Sequence, residues 1–341
     1  MRELTKSELK LFEQLASAPQ RTLKKALTSF LKTKYNVVTS TKDYIYAEGS
    51  IPIALVAHMD TVFTKIPTEI YYDRHKNVMW SPQGLGADDR AGVFAICQII
   101  KAGYRPHIIF TTDEEKGGLG AYQLAAQQCP FGDLRYMIEL DRRGSDDCVF
   151  YDCDNKDFVK YVEGFGFKEN WGTFSDISYL GPDWGVSAVN LSIGYKDEHS
   201  VSEVLHVDWM YRTIERVKTM LDEEVIPYFE YVENPYTYAW LQSYYGHNGY
   251  YSKGKSSAET ASPGQVVCPN CHSVWDVEDT YPVEIGENTY GDYCLNCIAL
   301  DKVHWCSFCG DPFIPDAGQD DICRRCENTY AYRDKFEEGA V

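Results

Sequence analysis

Residues Ile51–Val62, IPIALVAHMDTV, are the segment around which the rest of the chain is organised. A continuous apolar run rich in branched residues ends in His58-Met59-Asp60. Such a short run reads as a strand buried on both faces, as inside a parallel sheet. In open α/β sheets the ligand-binding loops gather at the C-terminal ends of the strands. A His and an Asp two residues apart lie on the same side of the strand line, so one can bind a metal while the other fixes its orientation. Taken alone this trio is a weak signal, and it gains weight from the acidic clusters downstream.

Those clusters recur at the ends of apolar runs. Gly84-Leu85-Gly86-Ala87-Asp88-Asp89-Arg90 leads into the apolar helix VFAICQII. His107–Thr112 runs as a strand into Asp113-Glu114-Glu115, and Tyr136–Ile138 runs into Glu139-Leu140-Asp141. Gly194–Ser200, with Glu198-His199-Ser200, follows the strand-like SAVNLSI. Burying acids together without a cation is costly, because like charges at close range oppose each other's ionisation. A pair of metal ions removes that cost, and His, Asp and Glu form a ligand set suited to zinc.

The order HMD, ADDRAG, DEE, ELD, EHS resembles the di-zinc (co-catalytic) exopeptidase clan of peptidase T, acetylornithine deacetylase and the single-domain zinc aminopeptidases, over Ile51 to Glu203. The resemblance implies an α/β fold with a mostly parallel sheet flanked by helices. It also implies one zinc held by His58, Asp88 and Asp141 and a second held by Asp88, Glu115 and His199. In those families the first Asp of the ADD pair bridges the ions, which selects Asp88 over Asp89. Glu114 is then the general base and Asp60 the partner of the His58 imidazole. The implied reaction is hydrolysis of a peptide bond by a hydroxide bridging the two metals.

The chain has 341 residues, 44% of them hydrophobic, enough for one large core and something smaller. No apolar stretch approaches the length that spans a bilayer, and MRELTKSELKLF lacks the apolar core of a secretory leader, so the expected location is cytoplasmic. A net charge of −18 argues against general affinity for nucleic acid or anionic membranes.

Residues 5–34 read as two amphipathic helices split at Ala18-Pro19. Leu9, Leu11, Phe12 and Leu15 lie on the inner face of the first, and Leu23, Ala26, Leu27, Phe30 and Leu31 on that of the second. Residues 1–34 hold eight Lys/Arg against three Asp/Glu, which reads as a solvated helix face in preference to an anionic-ligand patch. Short strands are expected near 36–39, 43–48, 69–73, 77–81 and 147–151, and helices at 155–163 and 207–222. GGLGAYQLAAQQ has neither GxGxxG nor GK[ST] and reads as a helix start, not a phosphate loop. Gly172–Asp176 sits where related aminopeptidases carry a substrate-side Ser/Thr–Asp motif. The deacylase and peptidase T branches insert a lid domain between the Asp141 and His199 equivalents. Here 57 residues separate the two, and about 100 would be needed. A minimal aminopeptidase-like catalytic domain is therefore expected over 1–232, with Tyr195 as a candidate donor to the substrate carbonyl.

Residues 233–265 shift to Tyr, Gly and Ser and read as a linker. Cys268/Cys271, Cys294/Cys297, Cys306/Cys309 and Cys323/Cys326 then form four CxxC pairs. Each pair donates two thiolates and two pairs close one tetrahedral site, so a double zinc-ribbon domain with two structural zincs is expected over 266–330, before an acidic tail at 331–341. Sequential and cross-braced pairings both fit the spacing. No HxE precedes a PCxxC, which removes a deaminase reading. Cys97, Cys129, Cys148 and Cys153 are scattered and read as ordinary thiols. From Gln265 to Val341 five Lys/Arg face fifteen Asp/Glu, a net of −10, so the ribbons suit a protein partner and not nucleic acid. The leading function is a zinc exopeptidase, an aminopeptidase on small peptides. The alternatives are an N-acyl amino acid deacylase on the same metal core and a ribbon-based binding module with an inactive hydrolase core.

Overall fold

The computed structural model describes residues 2–172 and 174–233, together with 265–267, 274–276, 280–286, 289–294, 304–306, 312–314 and 324. The chain divides into two compact units, Met1–Asn248 and Gly249–Val341.

In the first unit, the central strand β3 (Ile51–His58) is flanked in parallel by β6 (Pro106–Thr111) and β7 (Tyr136–Arg142), and β10 (Ala188–Ser192) continues the parallel set beyond β7. Antiparallel strands β1 (Val37–Ser40) and β2 (Tyr44–Glu48) extend one edge. At the other edge β8 (Asp147–Val149) pairs antiparallel with β10, and β9 (Lys168–Glu169) pairs with β8. The expected burial of both faces is borne out residue by residue. Ile53, Leu55 and Ala57 enter one apolar cluster while Ala54 and Val56 enter the other, as a period of two requires. Ile108 and Phe110 alternate with Ile109, and Ile138 and Leu140 with Met137, in the same way.

One face is covered by α3 (Ala87–Lys101), the apolar helix read from VFAICQII. Phe94 of α3 meets Phe12 of α1 (Lys6–Ala16) at 5.7 Å and Tyr211 of α7 (Val207–Leu221) at 6.4 Å. Helix α1 starts at a capping box, in which Thr5 and Glu8 satisfy each other's backbone N–H groups. Helix α2 (Gln20–Lys32) buries only Leu23, Leu27 and Leu31, so the inward stripe is narrower than expected and Ala26 is exposed. The basic side chains of both helices are largely solvated. The other face of the sheet carries α4 (Leu119–Ala125) and α6 (Ile177–Trp184), while α5 (Lys156–Glu163) begins at an Asn155 cap.

A second, antiparallel sheet is ordered β11 (Tyr195–Lys196), β12 (Val204–His206), β5 (Val78–Trp80), β4 (Tyr71–Asp73). Its β11–β12 hairpin presents the His199 loop. Between Asp141 and His199 the described elements are β8, α5, β9, α6, β10 and β11. No helix among the described residues is long and apolar enough to cross a membrane.

In the second unit, β13 (Gln265–Val267) pairs with β14 (Val274–Asp276). A four-stranded sheet orders β16 (Thr289–Cys294), β15 (Thr280–Gly286), β18 (Pro312–Phe313) and β17 (His304–Trp305) around buried Val283 and Phe313. Of the eight cysteines expected to hold structural zinc, Cys294 closes β16, and Cys306, directly after β17, is buried. Cys268, Cys271, Cys297, Cys309, Cys323 and Cys326 lie outside the described residues, so each of the four expected CxxC pairs lacks at least one described member. Most of the expected linker and the whole acidic tail lie outside them too.

Candidate metal centre

The strand order reverses at β3, because its two neighbours β6 and β7 both follow it in the chain. The crevice beyond the C-terminal ends of these strands is where an open α/β sheet binds ligands. His58 ends β3 and Asp141 lies near the end of β7. Glu114 and Glu115 occupy a single 3-10 turn after β6, between Asp113 and Gly117, both with positive φ. Asp88 opens α3 just after Gly86, whose φ of 65° is one that glycine adopts without strain. His199 comes from the β11–β12 loop with a φ of 62°.

These side chains converge. Three ligand groups form among the described residues: His58, Asp88 and Asp141; Asp88, Glu115 and His199; and His58, Glu114 and Glu115. Within each, the donor atoms lie within 4.8 Å of one another. Asp88 stands at the centre and uses its two oxygens separately. Oδ1 is 3.1 Å from His58 Nε2 and Oδ2 is 3.2 Å from His199 Nε2. Asp141 Oδ1 is 3.5 Å from His58 Nε2, and Glu115 Oε2 is 3.1 Å from His199 Nε2. Glu114 Oε2 stands back from the ring nitrogen of His58, at 4.0 Å.

Carboxylates tie the ligand loops together by accepting from backbone amides. Asp60 Oδ1 lies 3.3 Å from His58 Nδ1, as expected, but both its oxygens also take backbone N–H groups, those of Glu114 and Glu115, each at 3.1 Å. Asp89 accepts from the His58 N–H at 3.3 Å and the Gly92 N–H at 2.8 Å. Fully buried Glu203 accepts from the N–H groups of Gly86, Ala87 and Asp88. Sequence reasoning misses both Asp89 and Glu203 as parts of the site.

Asp141 is held from three further sides. Ser175 Oγ donates to its Oδ2 at 3.2 Å, Asn190 brackets its backbone N–H and carbonyl, and the Tyr195 hydroxyl reaches its carbonyl at 2.9 Å and Oδ1 at 3.1 Å. Tyr195, expected to face substrate, is buried and engaged with Asp141. Asp176 is buried and accepts from the hydroxyl of Thr111, the last residue of β6.

The electrostatics are those of a site short of positive charge. Burial, then the charge of Asp88, pushes the Asp141 carboxyl up to about 7. Burial likewise lifts Glu115 and, further, Glu114 above the usual carboxylate range. Burial alone would lower both histidines, yet the surrounding carboxylates hold His58 well above its ordinary value and push His199 up to about 11. Asp88 is held low against burial by the two imidazoles. Glu115 Oε1 is buried with no hydrogen-bond partner. Oxygen and imidazole donors, one carboxylate shared between two histidines and an orphaned carboxylate oxygen together fit a pair of divalent cations.

Residues 36–160 match the profile of peptidase family M28, which covers His58, Asp88, Glu114, Glu115 and Asp141 but stops short of His199. Among solved structures, a tripeptidase from Staphylococcus aureus superposes with a TM-score of 0.52 at 14% identity, over 63% of this chain and 98% of its own. The aminopeptidase PepT from Bacillus cereus gives 0.50 at 14%, over 62% and 96%, and an aminopeptidase from the archaeon Desulfurococcus kamchatkensis gives 0.50 at 15%, over 64% and 96%. At these identities the likeness is one of fold. No curated protein matches the sequence significantly.

Proposed function

We propose that this chain, a metallopeptidase whose core over residues 36–160 is that of peptidase family M28, is a two-zinc aminopeptidase acting on small peptides. The observation that carries the reading is Asp88, with one oxygen toward His58 and the other toward His199, and with Asp141 and Glu115 completing the two groups it joins. His58, Asp88 and Asp141 would hold one ion, and Asp88, Glu115 and His199 the other. Zinc in such a site supplies Lewis acidity, polarising a carbonyl oxygen and acidifying water at neutral pH.

The chain's own groups do the rest. Glu114 stands close to both ion positions without an imidazole at bonding distance, so it is free to take the proton of the attacking water and deliver it to the leaving amine. Water adds to the carbonyl carbon, the C–N bond breaks, and the free acid and free amine leave. Asp60 holds the Glu114-Glu115 turn through two amides, which fixes the proton carrier beside the His58 ring. Sheet and helix elements account for the segment between Asp141 and His199, which supports a lid-free site of the aminopeptidase kind. A panel of free aminoacyl, peptidyl and N-acyl substrates tests this. Free α-amino peptides should be cleaved fastest, and a wide margin for N-acyl amino acids would transfer the activity to deacylation.

The reading extends to the second unit. Four CxxC pairs (Cys268/Cys271, Cys294/Cys297, Cys306/Cys309 and Cys323/Cys326) support two structural zincs, thiols kept reduced as in the cytoplasm, and a protein-docking surface with no affinity for nucleic acid. Elemental analysis of never-chelated protein should give four zincs per chain, two of them removable together with activity. A value of two or fewer contradicts this.

A further inference from the structure

Glu203 is fully buried, and its carboxylate is spent entirely on backbone. Oε2 accepts from the N–H groups of Gly86 at 2.6 Å and Ala87 at 3.1 Å, and Oε1 from that of Asp88 at 3.0 Å. Those three amides are the turn that presents Asp88. Glu203 belongs to the loop that presents His199, four residues earlier. That loop is knit by the Glu203 N–H to the Ser200 carbonyl at 3.1 Å, the Ser200 hydroxyl to the Asp197 carbonyl at 2.7 Å, and the Ser202 N–H to Ser200 Oγ at 3.2 Å. Two segments more than a hundred residues apart in sequence therefore share one anchoring carboxylate, and each carries a ligand of the second ion position.

Resting on the two-metal reading, we propose that Glu203 is a positioning residue that couples the two ion positions. An ion among His58, Asp88 and Asp141 fixes Asp88. Through Glu203 that fixation reaches the His199 loop, which is then already in place for the second ion. Coupling of this kind is reciprocal, so loading either position favours the other. Other anchors of the site, Asp60 and Asp89, tie segments around His58 and the Glu114 turn. Of these three carboxylates, only Glu203 ties the His199 loop to another ligand segment through backbone amides.

The test is titration of the metal-free full chain with cobalt(II), read by visible absorption. The thiolate charge-transfer band separates cobalt at cysteines from cobalt at nitrogen and oxygen donors. In the wild type, two cobalt ions should enter the N/O site together, with midpoints that do not separate. In Glu203→Gln, which keeps the shape but sets an amide N–H against a backbone N–H, the second ion should bind about 10–100-fold more weakly. The first ion and the melting temperature of the metal-free protein should stay near wild type. Val201→Ala, at an exposed position in the same loop, should titrate like the wild type. If the wild type takes fewer than two ions at N/O donors, the two-metal reading fails. If it takes two and Glu203→Gln titrates identically, the coupling role alone is overturned. Equal weakening of both ions together with a drop in metal-free stability makes Glu203 a structural residue and overturns it as well.

Discussion

His58 closes a buried strand with no exposure of its side chain, whereas His199 sits on a hairpin loop with 47% of its side chain exposed. Both imidazoles turn Nε2 toward the same carboxylate at nearly the same distance, 3.1 and 3.2 Å. The deep end of the site is fixed by sheet register, since β3, β6 and β7 set His58, the Glu114 turn and Asp141 side by side. The mouth is fixed by a loop that side-chain-to-backbone bonds must hold. Solvent reaches the site from the His199 side. One site thus takes its geometry from the core at one end and from a tethered loop at the other.

Removing the group the two ends share should have the largest effect. In Asp88→Ala both ions lose a ligand, so metal content should fall by two per chain. Turnover should drop beyond the about 10²–10⁴-fold that loss of a proton carrier costs. Retention of one tightly bound ion would show that the two ends are held independently. On the proposed assignment Glu114 is a ligand at neither end, so Glu114→Gln probes the proton carrier alone. It should keep both ions and lose about 10²–10⁴-fold in kcat, measured on metal-saturated protein. A near-normal kcat there removes Glu114 as the proton carrier, and metal loss equal to that of Asp88→Ala makes it a ligand.

The deep end is legible in the sequence because its signals are local. An apolar run ending in His58-Met59-Asp60 states strand, burial and ligand in one stretch, and the DEE and ELD runs repeat that form. What stays hidden acts across the chain. Glu203 and Asp89 accept from backbone amides of other segments, and an amide leaves no trace of its partner in residue type. The available hint is an acid directly ahead of the apolar Val204-Leu205, where a buried carboxylate must find donors. Tyr195 misleads for the same reason. Its type suits a substrate donor, and only the packing of β11 beside the end of β7 turns it to Asp141. Ala26 reads as inward because a helical stripe has no fixed width in sequence, and here Leu23, Leu27 and Leu31 fill it with Phe30 partly buried beside them.

The two histidines can be set directly against each other in the metal-free protein. His58→Ala opens a void in the sheet end and strips the buried acids of their counter-charge. Urea unfolding should show a loss of about 3 kcal/mol or more. His199→Ala, half exposed, opens no void and should cost clearly less while removing the second ion. Equal stability losses would mean that the loop is as much a part of the core as the strand.

The smallest effect comes from a histidine that shares the burial of His58 but not its acids. His107 lies in β6, 4% exposed, with its ring stacked on Phe131 at 4.2 Å and Nδ1 accepting from the Gly49 N–H at 3.1 Å. Burial pulls it down to about 4, only partly offset by Asp133, the opposite of the direction found at His58. Its folded value lies below the unfolded value of about 6.5. The unfolded chain therefore binds the proton first, and the contribution of His107 to stability is fully present above about pH 6.5. It is lost progressively as pH falls toward 4. In His107→Gln, which keeps an acceptor for Gly49 but does not titrate, the urea midpoint should decline less steeply between pH 6.5 and 4 than in the wild type. The extra slope in the wild type should stay below that of one full proton. Parallel acid limbs in the two proteins would show that His107 is not held neutral, and that burial alone does not separate it from His58.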